Sequence, residues 1–154
     1  MVSKTVGVIV AVVVIIIIVG GVLAYVFTRP GGINGGLSGT NINIYAGEYG
    51  FGASSGSIAS PGPTITLKSG DSVTVTLHNV GTMEHNWALT TDKADGSTNL
   101  AFSGSSIASA SGPVAAGGSQ STTFTVGSAG NYYYICQVDG HVSLGMWGTV
   151  TVNP

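Results

Sequence analysis

Apolar and polar residues alternate with period two through Pro63-Thr-Ile-Thr-Leu-Lys68, Asp71-Ser-Val-Thr-Val-Thr-Leu77, Gln120-Ser-Thr-Thr-Phe-Thr-Val126 and Gly148-Thr-Val-Thr-Val152. That is the period of an extended strand, whose successive side chains point to opposite faces, and an apolar face of this kind needs a second surface to cover it. Each run is short and is bounded by glycine, serine, asparagine or aspartate, the residues that turn a chain. Asn131 to Cys136 reads as a further strand, with Asn41-Ile-Asn-Ile-Tyr45 and Asn86-Trp-Ala-Leu89 as weaker ones. No helical period is sustained after residue 40, so residues 41–154 are expected to form an all-β sandwich or barrel, large enough for one closed core. Lys68-Ser-Gly-Asp71 reads as a tight turn where two strands meet. The stretch from Asp92 to Gly118, rich in Ala, Ser and Gly, lacks alternation and is read as a short helix or an irregular crossover, a matter of topology rather than a functional loop.

The chain before residue 41 has a different character. From Val6 to Phe27 there is no charged residue, and the run is long enough to cross about 30 Å of hydrocarbon as a helix. Residues 1–28 are therefore expected to be a transmembrane anchor. A cleavable signal has a shorter apolar region of about 7–15 residues and a small-residue cleavage site, and no Ala-X-Ala pattern follows here. Lys4 and the amino terminus outweigh Arg29 by a slim margin, which favours the amino terminus inside and the remainder on the outer, extracellular face. Residues 29–40, Arg-Pro-Gly-Gly-Ile-Asn-Gly-Gly-Leu-Ser-Gly-Thr, read as a flexible tether, or equally as a plain spacer that clears the headgroups.

The chemistry concentrates at the other end. The only cysteine, Cys136, is followed at intervals of five by His141 and Met146 on one loop between two strand-like runs. Thiolate, imidazole and thioether together suit a copper ion cycling between Cu(I) and Cu(II), since sulfur favours the reduced state and imidazole accommodates both. A fourth donor is sought among the remaining histidines. His78 falls in phase with Thr74 and Thr76, the polar set of its strand, and is expected at the surface. His85 stands at the junction of a turn and a new apolar strand, where a side chain can reach a loop across the top of a sandwich. A zinc site formed by Cys136, His85, His141 and water stays open, although zinc has no evident need of Met146. A copper delivery or storage protein also stays open.

The run Tyr132-Tyr-Tyr-Ile-Cys-Gln-Val-Asp-Gly-His-Val-Ser-Leu-Gly-Met-Trp-Gly148 resembles the blue copper proteins, or cupredoxins, and its four-residue gaps look like those of rusticyanin and sulfocyanin. Met83-Glu-His-Asn-Trp-Ala-Leu89 is similar to the first-histidine segment of azurin. Anchor, tether and cupredoxin head together look most like sulfocyanin. The resemblance implies an all-β cupredoxin fold, a Greek-key β-sandwich over residues 41–154, and a type 1 copper site with His85, Cys136 and His141 around the metal and Met146 as a long axial ligand. It implies that Asn86 hydrogen-bonds across to the cysteine strand, where such bonds orient ligands and tune potential, and that His141 is the point at which electrons enter or leave. The chain departs from the family in two places, with Asp139 where many members have proline and Asn86 where rusticyanin has serine.

Around His141, Val142, Leu144 and Trp147 are expected to form an apolar patch for docking a partner, whereas Tyr132, Tyr134 and Trp87 are read as core. The expected function is one-electron transfer in a respiratory chain, between redox protein partners such as a terminal oxidase complex, and not catalysis. A dinuclear oxidase site would need a second cysteine, and the chain has one. Charged residues make up 6% of the sequence and the net charge is -2, which argues against nucleic acid as a partner. So few carboxylates also predict a stability that changes little on acidification unless those groups have strongly shifted pKa values, as suits an acidic exterior.

Overall fold

A computed structural model describes residues 36–154. The expected anchor and the tether up to residue 35 lie outside the described residues. From there on the chain forms ten strands and, among the described residues, no helix. They are β1 (Leu37–Ser38), β2 (Asn41–Gly47), β3 (Gly50–Gly52), β4 (Ile65–Lys68), β5 (Ser72–Asn79), β6 (Trp87–Thr90), β7 (Ser106–Ile107), β8 (Ser119–Thr125), β9 (Gly130–Ile135) and β10 (Trp147–Asn153). A six-stranded sheet in the order β1-β4-β10-β9-β6-β7 faces a four-stranded sheet in the order β3-β2-β5-β8.

The period-two runs explain the core. In β5, Val73, Val75 and Leu77 are buried while Thr74, Thr76 and His78 alternate with them on the outer face. They meet Ile42 and Ile44 of β2 and Phe124 of β8 from their own sheet, and Ile65, Leu67, Trp87, Leu89, Tyr134, Val150 and Val152 from the other. On the outer face the polar set pairs across to β8, with Thr74 Oγ1 2.9 Å from Thr123 Oγ1, Thr76 Oγ1 2.9 Å from Ser121 Oγ and His78 Nδ1 2.9 Å from Ser119 Oγ. His78 thus lies in the polar ladder, as its phase predicts, and is not among the donors that gather around Cys136.

Two local expectations are revised. Lys68-Ser-Gly-Asp71 does not close a hairpin, because β4 belongs to one sheet and β5 to the other. Here the Ser69 N–H donates to the Asn153 carbonyl at 2.8 Å and the Gly70 N–H to the Val126 carbonyl at 2.9 Å, so the turn is fastened to both sheets as it crosses between them. Gly70 supplies the left-handed backbone, φ 88°, that the crossing requires. Strand pairing also begins earlier than residue 41, since Leu37 and Ser38 pair in parallel with Ile65 and Thr66.

Tyr134 ties three strands together beneath the site. It faces Gly148 across the β9–β10 ladder, and its hydroxyl donates to the Pro63 carbonyl at 2.6 Å, at the approach to β4. A Cβ at Gly148 would lie 2.2 Å from the tyrosine ring, and one at Gly62 2.5 Å from its hydroxyl. Glycine is therefore required at both places by close approach of the ring. Gly148→Ala should destabilise the fold by about 3 kcal/mol through overpacking, and Tyr134→Phe by about 1 kcal/mol through the lost hydrogen bond. Urea unfolding checks both, and a Gly148→Ala variant as stable as the parent would contradict the packing described.

Candidate metal centre

Four side chains converge at one end of the sandwich, delivered by two segments. His85 closes the β5–β6 connection. Its N–H donates to the Val114 carbonyl at 3.1 Å and its own carbonyl accepts from the Val114 N–H at 2.7 Å. Asn79, buried at the end of β5, shapes that connection from within. Its Nδ2 donates to the carbonyls of Met83 at 2.7 Å and Val114 at 2.9 Å, and its Oδ1 accepts from the Gly81 N–H at 3.0 Å. Cys136 follows β9 directly and Met146 precedes β10 directly. The Cys136 N–H donates to the Met146 carbonyl at 3.1 Å, and the Met146 N–H to the His141 carbonyl at 3.0 Å. The loop is thereby closed on itself, with its three sulfur and nitrogen side chains held at its neck.

Cys136 Sγ lies 3.4 Å from His141 Nδ1 and 3.9 Å from His85 Nδ1, and the three donor atoms all lie within 4.8 Å of one another. Metal–donor bonds of about 2.0–2.3 Å in a trigonal arrangement would place the donors about 3.5–4 Å apart, so the two distances from Cys136 Sγ are close to what a metal ion needs and both histidines lie within its reach. His85, Cys136 and Met146 are 0% exposed and His141 is 4% exposed. Two imidazoles, one thiol and a buried thioether beside them match the donor chemistry of copper in a His2Cys site with weak methionine. Met146 shares the core cluster that contains Cys136.

Burial sets the protonation states. It holds the His85 imidazole down at about 4, with the neighbouring His141 adding to the effect and Glu48 opposing it. The same cause lowers His141, opposed by Asp95, and raises the Cys136 thiol, opposed by backbone hydrogen bonds. Both imidazoles are therefore neutral near pH 7, with a lone pair to offer. The thiol gives up its proton when a cation takes the proton's place, as metal binding requires. His85 Nε2 has no hydrogen-bond partner among the described residues, so packing and the Val114 bonds hold this ring.

Asn86 lies where it was expected to act and is joined by a residue whose role was not anticipated. Asn86 Oδ1 accepts from the Gln137 N–H at 2.6 Å, and Asn86 Nδ2 donates to Gln137 Oε1 at 2.7 Å. Gln137 Nε2 in turn donates to the Ser97 carbonyl at 2.7 Å. The neighbours in sequence of His85 and Cys136 are thus locked together, and both are buried. Ser97 and Val114 both belong to the stretch from Asp92 to Gly118, read above as topology alone, which here braces the site from two sides. The one signal available for Gln137 was its place beside the cysteine.

The expected patch of Val142, Leu144 and Trp147 does not form as a single exposed surface. Val142 is buried with Ala88 and Ile135, and Trp147 packs beside them on the outer face of the larger sheet against Tyr133. Lys93 Nζ lies 3.8 Å from the centroid of the Trp147 ring. The reason is strand phase: Trp147 points away from Met146, to the face covered by the loop after β6. Leu144 alone of the three is exposed, at 56%.

A sequence model of copper-binding proteins of the plastocyanin/azurin family matches residues 48–153. Auracyanin-A of Chloroflexus aurantiacus is 33% identical over 104 residues, a match that spans 58% of this chain and 64% of that protein's length. Among solved structures, reduced auracyanin from Roseiflexus castenholzii superposes with a TM-score of 0.58 at 24% identity, covering 76% of this chain and 99% of that one. Rusticyanin from Thiobacillus ferrooxidans gives the same TM-score, 0.58, at 22% identity, covering 80% of this chain and 84% of its own. These structural likenesses show the fold.

Two outcomes follow from the geometry. Asn86→Ala leaves the buried Oε1 and the buried backbone N–H of Gln137 without partners, and should cost about 2 kcal/mol or more in urea unfolding. The second concerns pH. In the metal-free protein the unfolded chain takes up a proton on His85 near 6.5 and the folded chain only near 4. Between those values the unfolded state holds more protons, so stability is lost as the pH falls through this window, by up to about 3 kcal/mol. His141 acts in the same direction. The buried imidazoles thus add an acid sensitivity above pH 4 that a count of carboxylates does not include. A flat stability curve from pH 7 to 4 in the metal-free protein would contradict it.

Proposed function

We propose that this chain, which belongs to the plastocyanin/azurin family of copper-binding proteins, is a membrane-anchored one-electron carrier, with His85, Cys136 and His141 as the principal copper ligands and Met146 as the axial one. The observation that carries the proposal is the buried convergence of two imidazole nitrogens and one thiol within 4.8 Å. Copper bound to such donors supplies a couple between Cu(I) and Cu(II).

The protein's part is to keep the donors where both oxidation states accept them. The Asn86–Gln137 bonds fix the two ligand-bearing segments relative to each other, and the closed loop from Cys136 to Met146 prevents the second histidine from swinging out. Burial keeps water away, and donors that move little cost little reorganisation when an electron arrives. Leu144 on the ligand loop and Met83 on the segment before His85 are both exposed apolar residues, and they are proposed as part of the surface that meets the redox partners.

The uncharged run from Val6 to Phe27 supports attachment to the cell membrane, with the copper domain on the outer face and the chain acting between respiratory-chain partners such as a terminal oxidase complex. The match to the plastocyanin/azurin family of copper-binding proteins supports a copper-based carrier.

Cu(II) added to the purified protein should give an intense thiolate-to-copper band in the visible spectrum and a reversible one-electron couple. Cys136→Ser should abolish the band. A colourless complex, or one that holds only Cu(I) or zinc, would contradict electron transfer and favour delivery or storage. Membrane attachment predicts that the full chain stays with the membrane pellet after an alkaline wash, and its release into the supernatant would contradict the anchor.

A further inference from the structure

His141, expected to be the point at which electrons enter or leave, is only 4% exposed. The side chain that lies against it is Tyr49, whose ring meets the imidazole edge-on with centroids 5.4 Å apart and planes at 88°. Tyr49 belongs to the short turn between β2 and β3, at a backbone φ of 57°. This left-handed region is ordinarily left to glycine or asparagine, and a bulky residue held there marks a side chain that the structure uses. The turn is clamped on both flanks. The Tyr49 carbonyl accepts from the Ser60 hydroxyl, and the Glu48 carboxylate accepts both from the Thr82 N–H and, at 2.8 Å, from the Thr82 hydroxyl. Thr82 lies on the segment that delivers His85, so the same turn touches both histidine-bearing parts of the site.

We propose that Tyr49 is a positioning residue for His141: its ring closes the solvent side of the imidazole, holds its orientation and keeps small external ligands from the donor set. The shielding of His141 is a property of the chain alone. Its consequence for copper rests on the ligand role proposed above. A redox partner would then meet Tyr49 before it meets His141. Edge-on ring packing asks for an aromatic face and not for a hydroxyl, so Tyr49→Phe should preserve the arrangement. Tyr49→Gly removes the ring while suiting the left-handed backbone, and so separates the side chain's role from a folding defect.

The test uses diethylpyrocarbonate modification of the full-length, metal-free protein at pH 7.5, read histidine by histidine by peptide mass mapping, with His78 on the far face as internal reference. Tyr49→Gly should speed modification of His141 several-fold relative to His78, and Tyr49→Phe should leave the ratio unchanged. An unchanged ratio in Tyr49→Gly overturns the proposal, whether or not the protein binds copper. In the unaltered chain, nuclear Overhauser contacts between the Tyr49 ring and the His141 ring protons are expected, and their absence overturns it even if the glycine variant fails to fold. In the copper-loaded protein, azide should perturb the visible spectrum of Tyr49→Gly at concentrations that leave the parent and Tyr49→Phe untouched. Equal azide response in all three would also overturn it, whereas failure to form a coloured complex in any of them would instead count against the function proposed above.

Discussion

The reciprocal hydrogen bonds between Asn86 and Gln137 are the constraint on which the site depends. They join the residue after His85 to the residue after Cys136, across 51 positions of sequence. Without that link the first histidine would sit on a connection held by the Val114 bridge and Asn79, and the cysteine loop would be braced chiefly by its own backbone. With it, the donors of two chain segments share one rigid frame. Because these polar groups are buried and partnered, they specify one arrangement strongly, and breaking any of them leaves an unsatisfied group in the interior.

The frame holds groups that water would otherwise stabilise. Two buried imidazoles and a buried thiol all have their charged forms disfavoured by burial. In the metal-free state this makes the fold sensitive to mild acid. With a cation at the donors the same burial becomes an advantage, since lone pairs are already available and the surroundings are dry. The core beneath contributes by filling the interior with Tyr134, whose ring passes over Gly148 and reaches the approach to β4. Stability of the sandwich and placement of the ligands are thus not separate matters. Strands β9 and β10 carry Tyr134 and its glycine at one level, then Cys136 and Met146 at the next.

What the sequence makes legible follows from what is local. Period-two runs located β4, β5, β8, β9 and β10, since each has one face in the core and one outside. β6 alternates poorly, because all four of its residues, Trp87 to Thr90, are buried: one face meets the core and the other the cluster of Ala88, Ile135 and Val142. β1, two residues long beside glycines, carries no pattern of its own and forms only because β4 is there to pair with. Sheet membership was equally hidden at Lys68-Ser-Gly-Asp71, where the same turn chemistry serves a hairpin or a crossing. The four donor residues were readable from residue type and spacing, helped by the family resemblance. Gln137 and Ser97 were not, because their partners lie 40 or more residues away, and Asn79 was not, because one of its bonds reaches across 35 positions to Val114. Trp147 shows the converse case: it was expected in a patch around His141, whereas on the outer face of the larger sheet it packs beside Val142 and Tyr133.

The central claim is that the fold places the donor atoms before any metal arrives. Crystal structures of the protein prepared metal-free and loaded with Cu(II) test it most directly. The account predicts that His85 Nδ1, Cys136 Sγ and His141 Nδ1 keep their positions within about 0.5 Å between the two. A metal-free form in which His141 has swung out, or the loop from Cys136 to Met146 has reorganised, would contradict it.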